Sequence, residues 1–304
     1  LYVASVGYVE VSINGQRATE AVLTPSISYL PKRVLYNVYD VSSLLRSGDD
    51  NAIGIWAAAA WATYPDMQHL KNLAKTAPLV LAEIRVDGEA IVATSASWKC
   101  RGSFVLHVGG PWGPGGFGGD AIDDRLAIKG WDSVGLDDSS WSAATTYDTY
   151  LSGLVLSADL VQPTVRLMAS KVLCKSIQRL NATSILLTMQ EVYTGWFEVE
   201  NLIGPPNTTV RFHVSTTAGV TMEFGMMNAF TFGPRGNGMF SMRFSYHEIE
   251  FITVTGLAPN VSLRAGDVTG YRLHNNLTRT GRFACSSTLI TKMYDTTVNN
   301  YLGL

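Results

Sequence analysis

This sequence predicts an all-β fold of two consecutive sandwich or jelly-roll domains, closed by a single C-terminal helix. Three observations carry that reading. Apolar and polar residues alternate with the two-residue period of half-buried strands, as in Tyr8-Val-Glu-Val-Ser-Ile13. Turn residues punctuate such runs at short intervals along most of the chain. The length, 304 residues at 46% hydrophobic and 16% charged, suffices for a sizeable core in two sandwich-sized units.

In chain order, Asn14-Gly15 between two apolar runs signals a hairpin, because both residues accept the left-handed backbone of a tight turn. Arg33-Val-Leu-Tyr-Asn-Val-Tyr39 and Asn51-Ala-Ile-Gly-Ile-Trp56 read as strands, joined by a short helical turn at Val41 to Arg46 and by Ser47-Gly-Asp-Asp50. Ala77 to Val86 and Ala90 to Thr94 pair across Asp87-Gly88, and Asp66 to Lys75 between them is expected to be a short helix. Residues 109–119, Gly-Gly-Pro-Trp-Gly-Pro-Gly-Gly-Phe-Gly-Gly, oppose helix and strand alike and make a long loop that presents Trp112 and Phe117. Ile122-Asp-Asp-Arg-Leu-Ala-Ile128 and Gly130-Trp131 lead into Asp137-Asp-Ser-Ser-Trp141, and Ser152 to Pro163 is expected to cross between the domains.

The second half repeats the pattern in Val165 to Lys171, Ser184 to Met189, Gly195 to Glu200, Thr208 to Val214, Met239 to Tyr246, Ile249 to Val254 and Val268 to Leu273. Ser286 and Ser287 then offer a helix N-cap, and Leu289, Ile290, Met293, Val298 and Tyr301 recur at helical spacing. An amphipathic helix ending a β-rich chain calls for a surface to pack on. Leu1, inside an apolar run, and Leu304, close behind that helix, both read as cut ends.

Composition narrows the partners. Twenty-three Lys plus Arg against 25 Asp plus Glu, scattered without a basic run, argue against nucleic acid and anionic membrane. No apolar stretch approaches the ~18 to 20 residues of a membrane span. Cys100, Cys174 and Cys285 lack metal-ligand spacing, cannot all pair, and read as apolar fillers. The five histidines are far apart, and no Gly-x-Ser-x-Gly elbow or phosphate loop occurs. Four N-glycosylation sequons, at Asn181, Asn207, Asn260 and Asn276, lie near turns or strand ends in the second half and imply an extracellular, secreted glycoprotein.

Four stretches, in this order, resemble the N-terminal half of bacterial-type α-L-rhamnosidases, glycoside hydrolase family seventy-eight. The first is Gly7-Tyr-Val-Glu-Val-Ser-Ile-Asn-Gly15, through Leu23-Thr-Pro25 to Lys32-Arg-Val-Leu-Tyr36 and Tyr39-Asp-Val41. The second is Asp123-Asp-Arg-Leu126 with Gly130-Trp-Asp132 and Asp137 to Trp141. The third is Arg243-Phe-Ser-Tyr-His247 with Phe251-Ile-Thr-Val-Thr-Gly256, and the fourth runs from Thr280-Gly281 through Phe283-Ala-Cys-Ser286 to Tyr294.

The resemblance implies a galactose-binding-like sandwich over residues 1–155, a second sandwich of concanavalin-like type over 156–278, and over 279–304 the linker and first helix of an (α/α)6 barrel. It places the catalytic carboxylates in that barrel, beyond residue 304, and calls for no redox cofactor. Departures accompany it. Thr188-Met-Gln-Glu-Val192 stands where the family has Asp-Phe-Gly-Gln-Asn, Ala58-Ala-Ala-Trp61-Ala62 where it has Gly-Asn-Gly-Trp-Tyr, and Gly119-Asp-Ala-Ile122 where it has Gly-Glu-x-Tyr.

Inversion at a glycosidic carbon needs an acid and a base roughly 6.5 to 9.5 Å apart, one with a raised pKa, and no such pair is legible in the chain. The acidic residues Asp120, Asp123, Asp124, Asp132, Asp137 and Asp138 read as turn caps and solvated loop ends, with a structural calcium site as the sharper alternative. Trp112 and Phe117 are the candidates for stacking on a sugar, against the alternative that they anchor their loop on the sandwich. Trp98, Trp131, Trp141 and Trp196 read as core. The expected function is the non-catalytic sandwich portion of an α-L-rhamnosidase-like hydrolase that supports or binds carbohydrate. The alternative is a structural glycoprotein that self-associates into a filament or surface layer through sandwich edges.

Overall fold

The computed structural model describes residues 1–30, 32–63, 78–108, 119–147, 155–160, 164–219 and 228–302. The described residues are built mostly from strands, with an α-helix at the C-terminal end. In the first half the strands are β1 (Tyr2–Val6), β2 (Tyr8–Ile13), β3 (Gln16–Arg17), β4 (Ala21–Val22), β5 (Arg33–Val38) and β6 (Ile53–Ala58). There follow β7 (Leu79–Val86), β8 (Glu89–Ala93), β9 (Lys99–Cys100), β10 (Val105–Val108), β11 (Gly119–Asp123), β12 (Ser142–Ala143) and β13 (Val155–Ala158).

A five-stranded sheet in the order β13-β5-β1-β7-β8 faces a three-stranded one in the order β3-β2-β6. Their shared core holds Val3, Ala82 and Ile84 from the first and Val9, Val11 and Ile13 from the second, closed by Leu1 and Val41. These are the alternate positions of the period-two pattern, so the pleat sends them to one side. Gly7, at φ 101°, is the single residue between β1 and β2 and lets the chain change sheets there. Asn14 and Gly15, at φ 54° and 79°, form the two-residue hairpin loop that the sequence signals, with Ile13 opposite Gln16. Asp87-Gly88 does the same between β7 and β8.

The remaining strands are β14 (Thr164–Asn181), β15 (Ser184–Ile203), β16 (Thr209–Ser215), β17 (Asn228–Thr231), β18 (Asn237–Ser241), β19 (His247–Thr255) and β20 (Val268–Asn275). With β4, β10 and β11 they form one ten-stranded sheet, ordered β10-β11-β17-β16-β19-β15-β20-β14-β4, with β18 beside β15. β14 and β15 are much longer than their sequence signals. Ser184 to Met189 and Gly195 to Glu200 are one strand, continuous through a register shift against β19 between Thr188 and Tyr193. Because β14 pairs with both β15 and β20, and β15 pairs with β20 as well, the sheet closes on itself around one core. Phe197, Phe212 and Phe240 fill that core, with ring centroids 4.6 to 5.7 Å apart.

The crossing expected at Ser152 to Pro163 contains a strand, β13, which pairs parallel with β5. The helix expected at Asp66 to Lys75 lies outside the described residues. The terminal helix α1 (Thr288–Leu302) starts as expected, Ser287 Oγ accepting from the Ile290 amide at 3.4 Å. Its apolar residues Leu289, Ile290 and Met293 are exposed. Among the described residues no helix is long and apolar enough to cross a membrane.

Candidate functional site: an aromatic cleft over a buried polar seam

A cleft of about 980 Å³ opens beside the five-stranded sheet. Ala4, Val6, Leu79 and Leu81 form its floor, Trp56 of β6 one wall, and the segments 98–104, 126–131 and 141–147 the rest. Four tryptophans, Trp56, Trp98, Trp131 and Trp141, line it, all partly buried. Trp98, Trp131 and Trp141 are therefore not core residues, and among the tryptophans read as core only Trp196 is, at 2% exposure.

The rings are held in place through their polar edges. Trp98 Nε1 donates to the Ala93 carbonyl at 3.0 Å and Trp56 Nε1 to Ser103 Oγ at 2.8 Å. Trp56 also packs edge-on against Trp131 and Phe244 and tilted against Phe104, with centroids 4.9 to 5.9 Å apart. What Trp56 and Trp98 offer the cleft is thus hydrocarbon at fixed orientation, while Ser95, Arg101, Thr145 and Thr146 supply polar groups on the same lining. Rigid aromatic faces with a few polar groups suit a ligand that is apolar on its C–H faces and polar at its edges.

Trp56 also connects the cleft to a buried polar seam. The Arg243 guanidinium lies 4.3 Å from the Trp56 ring and pairs with Glu10 of β2. The Asp120 carboxylate, 1% exposed, accepts from the amides of Arg243 at 2.7 Å and Phe244 at 3.2 Å and from Ser245 Oγ at 2.9 Å. The Asp120 amide donates to Asn228 Oδ1, which leaves Asn228 Nδ2 to donate to His247 Nε2 at 3.0 Å. His247 therefore accepts as the neutral imidazole, and burial pushes its pKa down to about 4. The seam brings together residues of the first and third resembling stretches, Glu10 and Arg243 to His247. The second meets the first nearby, the Gly15 amide donating to the Asp132 carbonyl at 2.9 Å.

Trp112 and Phe117 lie outside the described residues. The four sequon asparagines, Asn181, Asn207, Asn260 and Asn276, are all exposed, and none lines the cleft. The acidic residues divide. Asp137 accepts from the Ser139 hydroxyl and from the Ser139 amide, the latter at 3.0 Å, which lowers its pKa as a solvated turn cap should. The Arg125 guanidinium, 2.7 Å from Asp123, holds that carboxyl below its ordinary value, and Asp124 faces Arg235 at 3.6 Å. Asp120 departs from the turn-cap reading, because its partners lie 123 to 125 residues away. Among the described residues no three of His, Cys, Asp and Glu converge as a metal site would require.

Comparison with known proteins follows the same lines. The family described as the α-L-rhamnosidase N-terminal domain matches residues 1–168. An α-L-rhamnosidase of Streptomyces avermitilis is 24% identical over 97% of this chain and 28% of its own length. One of Formosa agariphila is 24% identical over 100% of this chain and 33% of its own. The structure of the α-L-rhamnosidase from Dictyoglumus thermophilum superimposes with a TM-score of 0.80 at 22% identity, over 99% of this chain and 33% of that one. The chain thus spans about a third of the length of the relatives it matches.

Proposed function

The chain belongs to the α-L-rhamnosidase family through its N-terminal domain, and from that premise we propose that it serves as the non-catalytic β-sandwich portion of an α-L-rhamnosidase-like glycoside hydrolase, supporting or binding carbohydrate. The aromatic cleft is the observation that carries the binding half of this reading. Its volume, about 980 Å³, lies in the range of small-ligand sites, and its fixed indoles present flat hydrocarbon beside hydroxyl groups. A pyranose such as L-rhamnose, with its C–H face and its hydroxyl rim, matches that lining.

The carboxylates favour the non-catalytic half. Among the described residues, those with shifted pKa values, Asp40, Asp123 and Asp137, are all pulled down by hydrogen-bond donors. A glycosidic general acid needs the opposite shift, raised by burial or by a neighbouring carboxylate. The test has two arms on the same protein. Calorimetric titration with L-rhamnose and with rhamnose-containing oligosaccharides should give saturable binding, and 4-nitrophenyl α-L-rhamnoside incubated with the chain alone should release no nitrophenol above the blank. Absence of saturation would remove the binding half, and turnover by the isolated chain would remove the other.

A further inference from the structure

We propose that Asn181, Asn207 and Asn260 are N-glycosylated together and form one glycan-bearing rim at a single end of the large sheet. The strand register fixes the geometry. Asn181 pairs with Ser184, Ser184 with Thr255, and Thr255 with Arg211, so these residues stand at one level across β14, β15, β19 and β16. Asn181 opens the turn between β14 and β15, Asn260 lies in the segment that leaves β19, and Asn207 stands just ahead of β16. All three are at or past that level on the same side. β14 and β16 are three strand intervals apart, which puts the whole rim within about 14 Å across the sheet.

The turns that carry the asparagines are tied to one another. The Arg179 guanidinium donates to the carbonyls of Asn181 and Ala182 at 3.4 and 3.3 Å and to that of Val261 at 2.5 Å, clipping the Asn181 turn to the Asn260 segment. The Leu257 amide donates to the Thr183 carbonyl at 3.0 Å. Gly256 lies so close to the start of β16 that a Cβ there would be 2.5 Å from the Thr209 carbonyl.

Each asparagine is exposed, and each sits where a folded chain can carry a sugar. Asn207 and Asn260, at φ 64° and 66°, occupy the left-handed apex of their turns. Asn181 Oδ1 accepts from both the amide and the hydroxyl of Thr183, at 2.9 and 3.3 Å, so the acceptor and the sequon hydroxyl are already in contact. The fourth sequon belongs elsewhere. Asn276 follows Asn275, which pairs with Thr164 at the opposite end of the 18-residue β14.

The chemistry is a transfer to the side-chain amide. Nδ2 attacks the anomeric carbon of an oligosaccharide linked to a lipid diphosphate. The new bond joins that carbon to Nδ2, the bond from the anomeric carbon to the phosphate oxygen breaks, the lipid diphosphate leaves with the electron pair, and the amide proton passes to a base of the transferase. Asparagine at positive φ also serves a turn unmodified, so the test must read the modification itself.

The 304-residue chain is secreted from a eukaryotic host and its glycans are released by an amidase in ¹⁸O water, which marks each occupied asparagine as labelled aspartate. Peptides are then mapped by mass spectrometry. Label at all three of Asn181, Asn207 and Asn260 supports the rim, and its absence from any of them overturns it. Thr183→Ala, which leaves Asn181 in place, should remove one glycan from the intact mass, and Asn276→Gln should leave the rim label unchanged. If secreted Thr183→Ala still carries label at Asn181, the label there is not sequon-directed and the rim fails.

Discussion

Replacing Asp120 by alanine should cost this protein more than any other single carboxylate change among those described above. The substitution strips a buried acceptor from the amides of Arg243 and Phe244 and from the hydroxyl of Ser245. Each buried donor left without a partner costs about 1–3 kcal/mol, which sets a ceiling near 9 kcal/mol. A small cavity of about 190 Å³ touches Asp120, so water can re-solvate part of what the carboxylate leaves behind. A net loss of roughly 3–5 kcal/mol follows. At about 2 °C per kcal/mol for a chain of this size, the thermal midpoint should fall by roughly 6–10 °C. Differential scanning calorimetry measures it directly, with Asp137→Ala as the control, since Asp137 caps an exposed turn and its loss should leave the midpoint unchanged. A shift for Asp120→Ala no larger than the control's would show that the seam does not hold the two halves together and would refute the reasoning.

Three further outcomes follow from the same geometry. His247 titrates near 4 when folded against 6.5 in its ordinary state, so the unfolded chain binds more protons between those values. Stability should therefore be full above about pH 6.5 and fall as pH drops toward 4, by on the order of 3 kcal/mol, with half-buried His213 acting in the same direction. Denaturant melts across that range should show the slope, and His247→Gln should flatten it. Gly7→Ala places a Cβ 2.1 Å from the Ala58 carbonyl at φ 101° and should cost at least about 2 kcal/mol, read as a lower denaturation midpoint. Trp98→Ala removes an indole from the cleft wall and should weaken carbohydrate binding at least about tenfold with little change in melting temperature, because Trp98 is only partly buried. Equal affinities for the two proteins would assign binding to another surface.

Local features were the ones the sequence exposed. Asn14-Gly15 announces its hairpin because the signal and the structure occupy the same two residues, and Ser287 announces α1 for the same reason. The all-β class and the family were legible because alternation and motif order survive without any knowledge of contacts. The length of β15 was not, because exposed Gln190, Glu191 and Val192 look like a strand end, whereas they form an irregularity inside a strand held on both sides by β14 and β19. The cleft was illegible for a related reason. Trp98, Trp131 and Trp141 sit among residues that read like those around buried Trp196, and only the long-range placement of β6 and β7 decides which ring faces an opening. Asp120 looked like one more turn aspartate, since nothing within 100 residues of it in sequence reveals the amides it binds.

The parallel pairing of β11 with β17 has a consequence for how the chain is made. Asp120 and Asn228 are 108 residues apart, and ribosomes add roughly 5–20 residues per second, so β11 leaves the ribosome about 5–20 s before its neighbour exists. For that interval one edge of β11 is open to any extended segment nearby, its own or another chain's. The yield of folded protein should therefore respond to translation speed between residues 124 and 228 more than to speed elsewhere, a dependence written into the order of strands in one sheet.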